Sequence, residues 1–93
     1  MGIRFYIDQS TDRPHIENHA VHEDEVEDIL LKPIEDRPGV DGARVAIGRT
    51  RGGRYLKVIY VPDSKLDSIF VVTAYDLTGK PLKAFRKRAK RSL

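Results

Sequence analysis

Three arginines, Arg49, Arg51 and Arg54, flank a Gly-Gly pair at 52 and 53. A hairpin there would hold them at one end of a sheet, where guanidinium groups grip a phosphate through paired hydrogen bonds; the plainer alternative is solubilising charge on a turn. Lys83 and Arg86 sit one helical turn apart and share a patch of surface, either facing the same phosphate or simply keeping a helix in water. Tyr75 closes a β-rich run and is placed to stack on a base or relay a proton, unless it packs across strands. His19 belongs to the one side-chain type that exchanges protons near neutral pH; the alternative is a ring that bonds the turn between two helices. Asp76 reads as the start of a turn rather than as a base. Metal-free cleavage of RNA needs a group that activates the ribose 2′-OH, a proton donor for the departing 5′-oxygen, and cations that hold the phosphate as charge builds on it. The candidate catalytic set is therefore His19, Arg49, Tyr75, Lys83 and Arg86.

The histidines at 15, 19 and 22 invite a metal reading, because i and i+4 on a helix can share one ion. No carboxylate completes a zinc-binding spacing and the His-Glu-x-x-His pattern is absent, so neither a metal nor a cofactor is expected. Beyond the catalytic set, Arg51, Arg54, Lys87, Arg88, Lys90 and Arg91 are candidate RNA contacts. Such residues give affinity for phosphate without reading sequence, and they would serve equally to dock an acidic protein. Few aromatics are left to read a single strand: Tyr55, Tyr60, Tyr75 and Phe85, some of which a core must claim.

The charges divide along the chain. Residues 1–41 hold 11 acidic and 4 basic side chains, a balance of −7; residues 42–93 hold 3 acidic and 13 basic, a balance of +10. Six of the nine residues from 83 to 91 are Lys or Arg. Like charges that close on one helix repel by roughly a few tenths of a kcal/mol per i,i+4 pair, so the run implies a partner.

The elements that must position these groups follow from pattern. Residues 3–7 form a β-rich run and predict a first strand. Residues 14–19 predict a short helix, capped by Thr11 or Asp12 with Pro14 in the first turn. Residues 23–32 predict a clearer helix, with Val26, Ile29 and Leu30 on one face, acidic residues in the first turn and Pro33 as its stop. Residues 35–42 read as a mobile loop by composition. Strands are predicted over 44–49, 55–61 and 68–75, joined by short turns into an antiparallel meander. A last helix begins near Thr78, its stripe of Leu82, Phe85, Ala89 and Leu93 docking on the sheet while the basic residues face outward. The fold class expected is α+β: a small antiparallel sheet made of the N-terminal strand and a three-strand meander, packed against two N-terminal helices and a basic C-terminal helix, in the order βααβββα.

Ninety-three residues suit one domain spanning 1–93. With no cysteine the chain has no disulfide framework, which points to a reducing compartment and the cytoplasm. No export or lipid signal is read at the N-terminus, and the apolar run 69–74 is far short of the ~20 residues a membrane span needs, so no membrane partner is expected.

Four stretches carry a resemblance: His19-Ala20-Val21-His22 running into the acidic residues 23–30; Gly48-Arg49-Thr50 with residues 55–60; Val72-Thr73-Ala74-Tyr75-Asp76; and Thr78-Gly79-Lys80-Pro81-Leu82-Lys83 continuing to 88. In order and spacing they resemble the BrnT-like toxins of bacterial toxin–antitoxin pairs, over nearly the whole chain. The resemblance implies a RelE-like fold, ribonuclease activity that inhibits translation, and a cognate antitoxin that covers the basic face. Tyr75 stands where such toxins often carry an arginine, and Pro81 where a glutamate usually enters the last helix. The chain is then either a divergent ribonuclease that uses other groups, Tyr75 with Lys83 or Arg86 among them, or a non-catalytic RNA- or ribosome-binding or protein-interaction module. The expected partners are the antitoxin and RNA, on or off the ribosome, with a homodimer left open. A helix-turn-helix repressor is set aside, since no helix pair shows a recognition-helix pattern.

Overall fold

The structure is a computed structural model that describes residues 2–63, 65 and 67–92, and for Arg91 and Ser92 the backbone alone. Its class is α+β, and its centre is a five-stranded mixed sheet. Strand β1 (Gly2–Phe5) is followed by a two-stranded ribbon, β2 (Ile7–Asp8) and β3 (Arg13–Pro14), a 3-10 helix (His15–His19) and helix α1 (Glu23–Leu31). Then come β4 (Glu35–Pro38), β5 (Arg44–Arg49), β6 (Tyr55–Asp63), β7 (Ser68–Asp76) and helix α2 (Gly79–Ser92). The sheet order is β1-β7-β6-β5-β4.

This corrects the expected RelE-like order βααβββα and its all-antiparallel sheet. The meander has four strands rather than three, and the N-terminal strand adds to it in parallel, pairing Gly2 with Ser68 through to Phe5 with Val71. The extra strand is β4, in the segment whose Glu-Asp-Arg-Pro composition reads as a loop. It forms at the sheet edge because its carboxylates have partners: Asp36 accepts from the Tyr60 hydroxyl at 2.5 Å and from Arg44 Nε at 2.9 Å. Glu35 accepts a paired bond from Arg88 of α2, at 2.9 and 3.1 Å. Pro38 ends the strand, where the missing N–H costs no ladder bond. The expected first helix at 14–19 is a 3-10 turn that begins after Pro14, has no side-chain cap, and is stopped by Ala20 in the left-handed region at φ 57°.

Both faces of the sheet are covered. On one side Ile16 and Val21, with Val26 and Ile29 of α1, pack on Ala46, Leu56, Val58, Val71 and Ala74. Gly48 permits the close approach of α1, since a Cβ there would meet Ile29 Cδ1 at 3.3 Å. His22 donates its backbone N–H to Glu25 at 3.1 Å, which closes the first turn of α1. On the other side Leu82, Phe85 and Ala89 of α2 pack on Val45, Ile47, Tyr55, Ile59 and Leu77, as the stripe predicts; Leu93 lies outside the described residues. Phe85 is 1% exposed, and its burial contributes about 2–3 kcal/mol to holding an otherwise polar helix on the sheet. Among the described residues no helix is long and apolar enough to cross a membrane.

Candidate nucleic-acid interface

The β5–β6 hairpin, residues 50–54, is closed by Thr50, whose N–H donates to the Arg54 carbonyl at 2.8 Å and whose hydroxyl accepts from the Arg54 N–H at 3.1 Å. It carries the three arginines to one end of the sheet, and there their environments diverge. Arg54 turns inward: its guanidinium bonds the Asp76 carboxylate, Glu25 Oε1 at 3.0 Å and the carbonyls of Ala20 at 2.8 Å and His19 at 3.5 Å. The bond from Arg54, helped by its charge, holds the Asp76 carboxyl below the usual carboxylate range. Arg51 reaches α1, where its backbone N–H and Nε both donate to Asp28. Arg49 bonds neither. Its guanidinium lies across Gly53, which has a φ of +91° and where an added Cβ would meet Arg49 Nη2 at 3.1 Å. Glycine there both turns the hairpin and leaves space for that side chain.

Arg49 and Arg86 converge on one ring. Arg49 Cζ is 5.8 Å and Arg86 Cζ 5.2 Å from the centroid of Tyr55, which sits opposite Arg49 in the β5–β6 register and meets Phe85 edge-on at 6.0 Å. Among the described side chains, the arginines at 4, 13, 37, 44, 51, 54 and 88 each have a carboxylate partner, whereas Arg49 and Arg86 have none. Two guanidiniums on a tyrosine face, without a counter-charge, make an anion grip. The grip forms one end of an open cavity of about 940 Å³ between the end of α1, the hairpin and α2. Its apolar walls include Pro33, Ala89 and two strongly exposed aliphatics, Leu31 at 77% and Ile34 at 51%. No histidine lines it.

His19 and Tyr75 meet elsewhere on the molecule, with ring centroids 6.0 Å apart. Lys57 Nζ lies 5.9 Å from the Tyr75 centroid, and the rings continue from His19 to His15 at 5.3 Å and from His15 to Tyr6 at 5.9 Å. His15 Nδ1 is within 3.4 Å of Asp8 Oδ2. Asp8 is held well below the usual carboxylate range, chiefly by the hydroxyl and N–H of Ser10 and by Asn18. Among the described residues no group of three or more His, Asp or Glu side chains is arranged to hold a metal ion.

The structure thus divides the sequence candidates. Arg49 and Arg86 come together; His19 and Tyr75 come together; Lys83 is exposed on α2, one turn before Arg86. Lys87 and Lys90 are exposed, Arg51, Arg54 and Arg88 are engaged by carboxylates, and the Arg91 side chain lies outside the described residues. Sequence reasoning counted Tyr55 only as a spare aromatic and passed over Lys57. Their signal was the alternation along β6, which puts residues 55 and 57 on the face opposite buried Leu56 and Val58. No family model, curated protein or solved structure matches the chain.

Proposed function

We propose that this chain binds RNA at Arg49, Tyr55 and Arg86 and cuts it without a metal, as the toxin of a bacterial toxin–antitoxin pair acting in the cytoplasm. The observation that carries the reading is the pair of guanidiniums on Tyr55 with no carboxylate partner in a molecule that neutralises its other described arginines. A phosphate seated between them is stabilised as the ribose 2′-oxygen attacks phosphorus and the 5′-oxygen departs. The 2′-OH proton goes to a base and a proton is delivered to the 5′-oxygen. In this reading Lys83 adds charge from α2 and water takes and returns the protons at the gripped phosphate, while His19 and Tyr75, which meet away from the grip, hold the strand. The toxin assignment rests on the resemblance to BrnT-like toxins.

The test is RNA cleavage in EDTA by the wild type and by a variant carrying Arg49→Ala and Arg86→Ala. Cleavage should persist in EDTA and fall by about a hundredfold or more in the variant. A second reading, a non-catalytic RNA-binding module, is favoured by the absence of a histidine from the cavity walls and by Tyr75 and Pro81 at positions where the family carries polar groups. Intact RNA together with binding that weakens steeply as salt rises selects it. Neither cleavage nor binding would remove both.

The antitoxin of such a toxin would seat on the same cavity, with acidic groups on Arg49 and Arg86 and apolar ones on Leu31 and Ile34. Leu31→Ser, which removes the apolar contact without adding charge, should then weaken relief of growth arrest by the antitoxin while RNA binding stays near the wild-type level. Relief that is unchanged in this variant would place the antitoxin elsewhere.

A further inference from the structure

The cation grip at Tyr55 and the row of rings near Tyr75 are joined through Lys57. Residues 55 and 57 lie two apart on one strand, so they share a sheet face about 7 Å apart. Lys57 in turn lies over Tyr75, and each later step from Tyr75 to His19, His15 and Tyr6 is 5.3 to 6.0 Å. We propose that this is a track for single-stranded RNA, running from Tyr55 through Lys57 and Tyr75 to His19, His15 and Tyr6. The proposal rests on the RNA-binding reading above and extends it to residues that the grip does not touch.

Three features of the row favour bases of a single strand as its occupant. The rings are tilted to one another, at 58° for His19 and Tyr75, 78° for His15 and His19, and 48° for Tyr6 and His15. None is stacked face to face on its neighbour, so no ring pair of the row is closed as a parallel stack. The far end is held in place before any ligand arrives: the Tyr6 N–H donates to the Val71 carbonyl at 2.9 Å, and the Tyr6 carbonyl accepts from the His15 N–H at 2.8 Å. Tyr6 is 45% exposed although it is tied to the sheet by its backbone, an aromatic held in solvent on a fixed frame. The two guanidiniums lie at the Tyr55 end, Lys57 lies over Tyr75, and the rings continue beyond it, so phosphate attraction is strongest at the end where the path starts. Rings at Tyr75, the histidine pair and Tyr6 make room for about three bases beyond the phosphate held at Tyr55, so the strand occupies about four nucleotides, the short end of the ~4–16 such grooves accept. A duplex, whose base faces are already stacked, has nothing to offer the row.

The experiment is fluorescence anisotropy of labelled oligo(A) in a length series from dinucleotide to octamer, with the matching octamer duplex, against the full chain. Affinity should rise with length to about four or five nucleotides and then level off, with the duplex weaker than the single strand. Tyr6→Ala combined with His15→Ala should weaken the octamer about tenfold and leave the dinucleotide unchanged, while Tyr6→Phe binds as wild type. Unchanged melting temperatures keep loss of folding out of the result. If the wild type binds RNA and the Tyr6 and His15 variant matches it at every length, the track is overturned and the grip stands. If the wild type binds no RNA of any length at low salt, the RNA reading fails and takes the track with it.

Discussion

Arg49 and Arg54 belong to one hairpin and one residue type, yet one faces solvent beside a tyrosine and the other braces the fold. The difference comes from partners far away in sequence. Arg54 fills the space between the first turn of α1, the left-handed Ala20 and the end of β7, and gives two carboxylates and two carbonyls their donors. Arg54→Met should therefore cost about 2 kcal/mol, since it strands Glu25 and Asp76 without their cation. Arg54→Lys should recover only part of that, because a single ammonium cannot reach four acceptors. Arg49→Ala should stay within about 0.5 kcal/mol of wild type, and denaturant melts of the three variants check the contrast. Residue identity alone cannot sort these arginines, because the carboxylates that decide the matter stand at 25, 28 and 76 and meet the hairpin only after folding. The joint candidacy of Arg49 and Arg86, by contrast, was legible in the sequence from the hairpin glycines and the helical stripe.

At the level of elements, the strands β5 to β7 and the helices α1 and α2 were legible because alternation and the 3.6-residue stripe are burial patterns. β4 was not, because a polar edge strand shows no such pattern; side chains from β5, β6 and α2 hold it. That attachment is sensitive to alkali. Burial first, and the bond to Asp36 second, raise the Tyr60 phenol above its ordinary value. A group whose folded pKa is raised contributes stability that is fully present below the ordinary phenol value, near 10, and is lost as pH rises through the raised one. Once ionised, Tyr60 faces the Asp36 carboxylate with like charge and β4 loses that tie. Phenolate absorbance should show a titration step above the ordinary phenol range, with loss of stability over the same range. Tyr60→Phe should remove the late step. A late step that survives in Tyr60→Phe would contradict the arrangement.

In the molecule as a whole, the division of charge along the chain becomes a division across the sheet, with acidic α1 on one face and basic α2 on the other. The bidentate Arg88–Glu35 pair joins the two halves at the edge. Opposite charges do meet between the halves of the chain, at Arg51 with Asp28 on the surface and at Arg54 with Glu25, but α2 keeps a cationic outer face. The balance of charge was readable from composition, whereas the parallel seat of β1 was not, since a strand's own residues do not say which edge it joins. That seat has a consequence in time. A ribosome emits β1 long before its partner β7, so this strand waits for residues 68–71 before it can pair. Arg86, half of the proposed phosphate grip, emerges later still. A chain halted before β7 has neither a closed sheet nor a complete grip, so the RNA contact proposed above waits until residues 68–86 have left the ribosome.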